Sequence, residues 1–232
     1  MRIDLPLVEG TLVRRYKRFF ADVDLPGLGV TAVHCPNSGS MMGLQAPGSR
    51  VLVSDSQNDT RKLRYTLERV RVGRAWVGVN TMLPNKIVRE GIVAGAVAEL
   101  TGYTEARPEV VCGEGSRLDL LLTAPGRPRA WVEVKNTTLK DGAVARFPDS
   151  VTERGRKHLR ELMRLHSEGD RAVIFFLVNR GDCSAMGPAD AVDPEYGSAL
   201  REASAAGVEI LAYSTRHRGA VSAIDARLPV QL

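Results

Sequence analysis

The hydrophobic pattern of this 232-residue chain changes its period once, near residue 80, so two differently built units must meet there. Residues 1–80 carry short apolar runs broken by Gly, Pro, Asn and Asp, with no sustained 3.6-residue repeat, and therefore read as all-β. Strands are expected at 11–22, 29–34, 50–54, 65–72 and 76–79, with turns at 24–27 and 46–48. Five short strands in this length fit a small barrel of the OB type.

From Pro84 the pattern turns helical. Ile87, Ile92, Val93, Ala96, Val97 and Leu100 form one apolar stripe, which Gly102 is expected to end. Strands follow at 117–122, 130–135 and 172–178. A helix between the last two is expected to open on a capping box of Ser150 and Glu153 and to bury Leu159, Leu162, Met163 and His166. A further helix at 197–206 and a strand at 209–213 complete an α/β unit around a mixed sheet. The expected division is residues 1–80 and 81–232.

Charge separates the same two units. Residues 1–80 hold 12 Lys and Arg against 7 Asp and Glu, while the rest hold 20 against 20, so the net +5 lies in the first third. A localised basic surface attracts a polyanion through counterion release, and nucleic acid is the leading partner. The opening residues Met1 to Pro6 lack a secretory apolar run, and no later segment has about 18 uninterrupted apolar residues. Cys35, Cys112 and Cys183 are widely spaced, as expected for reduced thiols rather than disulfides or a zinc site. The expected location is cytoplasmic, away from membranes.

The chemistry concentrates in Trp131-Val132-Glu133-Val134-Lys135. A strand period of two sends Val132 and Val134 to a core and puts Glu133 and Lys135 together on the other face. One strand earlier, the same alternation is expected to set Asp119 opposite Leu118 and Leu120. If the two strands pair, Asp119, Glu133 and the Val134 carbonyl converge on one hard divalent cation, Mg2+ with Mn2+ as a substitute. Phosphodiester hydrolysis needs such a cation, an activated water and a positive group, and Lys135 is the candidate for the last role or for orienting the water. Glu90 on the first helix is a candidate further carboxylate, with Glu99 as its competitor.

Nucleic-acid contacts are expected from Arg14, Arg15, Lys17 and Arg18, which interleave with Tyr16, Phe19 and Phe20 as in single-strand-binding barrels. Arg69 and Arg71 alternate with Val70 and Val72 and suggest a second basic face. On the second helix, Arg154 and Lys157 sit with His158 and Glu161 away from the apolar stripe. His158, His166 and His217 show no metal-ligand spacing with one another.

The chain resembles the sugar fermentation stimulation protein A family over nearly its whole length. The blocks that carry the likeness are Arg15-Tyr16-Lys17-Arg18-Phe19, His34-Cys35-Pro36-Asn37-Ser38-Gly39, Val79-Asn80-Thr81, Ser116-Arg117-Leu118-Asp119, Val132-Glu133-Val134-Lys135, Phe147-Pro148-Asp149, the run from Thr152 to Leu159, and the run from Gly207 to Tyr213. The resemblance implies an OB-like domain followed by a PD-(D/E)XK nuclease-like domain, with DNA binding and a regulatory link to sugar utilisation. By position it marks Asp119, Glu133 and Lys135 as a nuclease-type site with Glu90 in the preceding helix. Asn136-Thr137, Met42 and Ser38 depart from the family's usual residues without touching the expected metal ligands. Two functions follow as expectations: a structure-guided or single-strand-tolerant Mg2+-dependent nuclease acting on single-stranded or branched DNA, and a non-catalytic DNA-binding regulator of sugar-utilisation genes on the same scaffold.

Overall fold

A computed structural model describes residues 1–113 and 116–232. The first unit is a barrel of β1 (Leu7–Tyr16), β2 (Phe20–Leu25), β3 (Gly29–His34), β4 (Arg50–Asp55) and β5 (Tyr65–Val72), extended by β6 (Ala75–Gly78). The strand order is β3-β2-β1-β4-β5-β6, and a parallel bridge between His34 and Thr66 joins β3 to β5, closing the five strands. Closure removes the sheet edges and encloses a core of Leu12, Val23, Val33, Val51, Val53, Leu67, Val70 and Val77.

The expected single strand over 11–22 is a hairpin, because the chain reverses at Lys17, Arg18 and Phe19 between β1 and β2. Lys17 and Arg18 both take positive φ, +47° and +61°. No glycine or proline marks this turn, so the sequence offers none of the usual punctuation.

The second unit begins with α1 (Pro84–Val93), followed by β7 (Glu105–Cys112), β8 (Ser116–Thr123) and β9 (Ala130–Thr137). Next come β10 (Leu139–Asp141), β11 (Val144–Phe147), α2 (Glu153–Ser167), β12 (Arg171–Val178) and β13 (Ala185–Pro188). The unit closes with α3 (Pro194–Ala205), β14 (Glu209–Arg218) and β15 (Val221–Arg227). Its main sheet has the order β15-β14-β12-β9-β8-β7, with β9, β12 and β14 parallel and both flanks antiparallel. A small sheet, β10-β11-β13, lies beside it.

α1 covers one face of the main sheet, where Ile87, Val88 and Ile92 meet Leu120, Val132, Val173 and Phe175. α2 and α3 cover the other, where Leu159, Leu162, Tyr196 and Leu200 meet Trp131, Ile174 and Phe176. Burial on both faces explains the unbroken apolar run of β12. α1 stops at Val93, not near Leu100. Gly95 at φ +74° donates to the Ile92 carbonyl, and Ala96 N–H to that of Gly91, ending the helix in a Schellman turn. α2 is capped by Thr152, whose hydroxyl accepts from Gly155 N–H at 3.0 Å, and not by Ser150. Gly155 in this first turn has a packing reason, since a Cβ there would lie 2.9 Å from the Tyr196 ring.

The units are joined by buried polar contacts. Arg69 on β5 donates to the Gly219 carbonyl and to Ser222 Oγ, and Gly78 N–H donates to the Asn179 carbonyl. Met1 and Ile3 pack in the core beneath α1, and Arg2 bridges to Val221, so the first three residues belong physically to the second unit. Among the described residues no helix is long and apolar enough to cross a membrane, and all three cysteines are free thiols.

Candidate active site

Glu133 and Lys135 share the face of β9 that looks toward α2, while Val132 and Val134 enter the core beneath α1. β8 and β9 pair through Leu120↔Val132, Leu121↔Trp131 and Leu122↔Ala130, and the ladder goes no further toward Asp119. There the alternation of β8 breaks. Leu118 enters the core on the α2 side and Leu120 the core on the α1 side, so Asp119 does not simply stand opposite both, as strand alternation had predicted. The separated strands leave the Val134 N–H without a ladder partner, and Asp119 Oδ2 accepts it at 2.8 Å. Asp119 Oδ1 accepts from Asn85 Nδ2 at 2.7 Å, which ties α1 to the site.

Glu133 is 3% exposed. Its Oε1 accepts from Lys135 Nζ at 2.7 Å and meets His158 Nδ1, whereas its Oε2 is buried without a partner. Arg154 Nε lies 3.4 Å from His158 Nε2. The His158 ring thus lies between the Glu133 carboxylate on its Nδ1 side and the Arg154 guanidinium on its Nε2 side, with Lys135 Nζ 3.5 Å from the same Nδ1. Burial pushes Glu133 up, but the His158 hydrogen bond and the Lys135 charge outweigh it and hold the carboxyl below its ordinary range. Asp119 moves the other way. Burial and then the negative charge of Glu133 push it up to about 6, against hydrogen bonds from Val134 and Asn85. Burial, and then the charge of Glu133, disfavour an ionised Asp119, while Glu133 Oε2 is left unmatched, and a cation between the two carboxylates would offset both.

The other expected residues divide. Glu90 lies five residues beyond Asn85, about 140° round the helix, and pairs with the Met1 amine at 2.5 Å. Its role as a further site carboxylate is therefore corrected, and Asn85 is the α1 residue that reaches Asp119. Glu99 is held by Tyr213 and Arg227, each at 2.5 Å. Arg69 is 2% exposed inside the joint between the units, so its expected nucleic-acid contact is also corrected. Strand alternation placed Arg69 and Arg71 on one face correctly, but cannot reveal that the β14–β15 hairpin covers part of it. Arg71 lies over the Trp76 ring, 5.6 Å from its centre.

Arg15 donates to the carbonyls of Arg18, Asn37, Gly39 and Ser40, so its guanidinium serves the loop rather than solvent. Arg14 pairs with Asp22 at 2.7 Å and covers the Tyr16 ring. Lys17 and Arg18 are exposed at the turn, and Arg154 and Lys157 are exposed on α2. The two regions are mechanically linked. Ser40 Oγ donates to the Asp149 carbonyl at 2.6 Å and Met41 N–H to its Oδ2 at 3.0 Å, just ahead of the α2 cap. On the other side, Thr81 donates to the Pro36 carbonyl just ahead of α1. The loop carrying Pro36 to Met41 thus grips the entry to both helices that reach the carboxylates.

Two site residues, His158 and Asn85, escape the sequence reading. His158 falls four residues after Arg154 on a helix and so shares its face. That spacing was a usable signal, but the strand partner it meets was not.

The pattern of the sugar fermentation stimulation protein RE domain matches residues 82–220, and that of the SfsA N-terminal OB domain matches residues 13–79. The chain belongs to the sugar fermentation stimulation protein family. It is 57% identical to a sugar fermentation stimulation protein homolog of Geobacter sulfurreducens over 230 residues, covering 99% of this chain and 98% of that one. A homolog from Geobacter metallireducens is 56% identical over the full length of both. Pyrococcus furiosus SfsA, whose structure was solved in complex with Ca2+, superposes with a TM-score of 0.90 at 28% identity, over 100% of this chain and 98% of that one. Family membership and this superposition agree with the barrel-plus-α/β architecture described above.

Proposed function

We propose that this protein binds DNA and hydrolyses its phosphodiester bonds with a divalent cation held by Asp119, Glu133 and the Val134 carbonyl. The observation that carries the reading is the buried, unpartnered Oε2 of Glu133 beside an Asp119 that burial, and then the Glu133 charge, push up to about 6. Oxygen-only ligands of this kind suit Mg2+, with Mn2+ as a substitute, and the Ca2+ bound by the Pyrococcus furiosus relative is another hard cation of the same preference. When bound, the ion would neutralise phosphate oxygens and acidify a water. Lys135, 2.7 Å from Glu133, supplies a positive group for charge developing on the phosphate. Asn85 and the Val134 N–H fix the Asp119 carboxylate, and His158 fixes that of Glu133. Arg154 and Lys157 on α2, with Lys17, Arg18 and Arg14 on the barrel, provide the phosphate contacts.

One observation favours a second reading, a DNA-binding regulator without catalysis. Glu133 Oε1 is already engaged by Lys135 and His158, and among the described residues no group of three or more His, Cys, Asp and Glu is placed to hold a metal. Calorimetric titration with Mn2+, together with incubation of single-stranded, duplex and branched DNA in Mg2+ or Mn2+, separates the two. The nuclease reading expects metal uptake and cleavage in the wild type and neither in Glu133→Ala or Asp119→Ala. Salt-sensitive DNA binding with no uptake and no cleavage selects the regulator. Cleavage that survives both substitutions overturns the assigned site.

A further inference from the structure

The β1–β2 turn has features that barrel closure does not require. Lys17 and Arg18 are consecutive non-glycine residues at φ +47° and +61°, a backbone region that side chains with a Cβ adopt only at a cost. Phe19 N–H donates to the Lys17 carbonyl at 2.7 Å around Arg18, closing a γ-turn in its rarer positive-φ form. Glycine would relieve this strain, yet the turn carries two cations and a ring.

The turn is also held from behind. Arg15 donates to the Arg18 carbonyl at 3.1 Å and to those of Asn37 and Gly39 at 2.7 and 2.9 Å, and Cys35 N–H donates to the Phe19 carbonyl at 2.8 Å. Through Ser40, Met41 and Asp149 the same loop is fixed to the start of α2, the helix that carries Arg154 and His158 to Glu133. Phe19 is thereby presented on a rigid support, 48% exposed, and takes no part in the stack of Tyr16 on Phe20. Neither Lys17 nor Arg18 pairs with a carboxylate among the described residues.

We infer that Phe19 is a stacking platform for an unpaired nucleobase, with Lys17 and Arg18 meeting the flanking phosphates. A ring between two unpaired cations matches the alternation of base and phosphate in a single strand. Within a duplex both faces of each internal base are covered by neighbours, so a blunt duplex offers the ring a free face only at its two ends, whereas every base of a single strand can unstack to offer one. The inference rests on the DNA-binding reading above and narrows it to substrates containing a single-stranded segment. Phe19 is a specificity-determining residue in this role. The bond-breaking groups are elsewhere.

The experiment compares wild type, Phe19→Ala, Phe19→Leu and Phe19→Trp in fluorescence anisotropy with a labelled single-stranded 20-mer and the matching blunt duplex, in EDTA so that no cleavage intervenes. Phe19→Ala is expected to weaken single-strand binding about tenfold, the usual consequence of losing one base–aromatic stack, and to leave duplex binding within about twofold. Phe19→Leu should resemble Ala, because it restores apolar bulk without a π face, and Phe19→Trp should bind the single strand at least as well as wild type. Quenching of the introduced indole by the single strand, and not by the duplex, is the accompanying signature. Equal losses on both DNAs, rescue by Leu, or no loss at all overturn the inference while DNA binding stands. Wild type that binds neither DNA overturns both.

Discussion

Glu68 and Glu133 are both buried, 5% and 3% exposed, and the chain treats them in opposite ways. Glu68, on β5, accepts from Ser54 Oγ at 2.7 Å with one oxygen and from Asn80 Nδ2 at 2.8 Å with the other. Neutral donors from the barrel and from the segment leading to α1 match it completely. Glu133 instead crowds Lys135 and His158 onto one oxygen and leaves the other bare. A buried acid whose two oxygens are matched has a structural task, fixing the neighbours that match it. An acid left half matched keeps one oxygen free, which is where the cation of the proposed function would bind.

Stability measurements test that contrast most severely. Glu68→Leu strands the buried donors of Ser54 and Asn80, and unfolding in urea should show a loss of about 2–4 kcal/mol. At the candidate site, Asp119→Asn keeps an acceptor for the Val134 N–H and removes a charge that burial and Glu133 both oppose, so its stability should stay within about 1 kcal/mol of wild type. Similar losses in the two variants would break the comparison. A stabilised Asp119→Asn would sharpen it, since a site arranged for a ligand gains when its charge conflict is removed.

The same contrast extends to histidine. His217 lies in the joint between the two units, with Nδ1 2.9 Å from Ser222 Oγ and Nε2 3.2 Å from the Asn179 carbonyl. Burial, and then the neighbouring Arg69 charge, push it down to about 4 from an ordinary 6.5. Between these values the unfolded chain binds a proton that the folded chain refuses. Stability is therefore present above pH 6.5 and falls as the pH drops toward 4. Replacing His217 with Gln should flatten that part of the stability–pH curve, read by urea midpoints at pH 7, 6 and 5. An unchanged slope in the variant would mean that the joint is not sensitive to the charge of this ring.

How much of this was legible depends on which neighbour each residue meets. The period change near residue 80, the central strands β9 and β12, and the pairing of Glu133 with Lys135 on one face follow from local alternation, which a strand imposes on its own residues. β7 and β15 escaped notice because they are the edge strands of the main sheet. β7 contains Pro108 and alternates charges with apolar residues, a composition that edges tolerate and interiors do not. The turn at Lys17 was hidden because its positive φ values are stabilised by Arg15 through carbonyls some 20 residues away, and not by a glycine. Asp119 is expected beside Glu133 from strand alternation and from the family resemblance. Its true orientation depends on where β8 parts from β9, a tertiary event with no local mark. The errors over Glu90 and Arg69 share one cause: a pattern gives the face of an element but not what covers that face.

Arg69 and Arg18 put that last distinction to a quantitative test on the barrel itself. Arg69 is enclosed with Ser222 and Gly219, while Arg18, like Lys17, is exposed and without a carboxylate partner among the described residues. A cation that meets a phosphate releases close to one counterion, so each of Lys17→Ala and Arg18→Ala should shallow the slope of log affinity against log salt by about 0.7 for a single strand. The loss in affinity at moderate salt should be only a few-fold, with no shift in the urea midpoint, because neither side chain supports the fold. Anisotropy titrations of the single-stranded 20-mer between low and physiological salt measure it. An unchanged slope in both variants would place the basic path elsewhere, on Arg154 and Lys157 of α2 alone. A change in slope for the turn and for α2 alike would show that one strand runs from the barrel to the carboxylates.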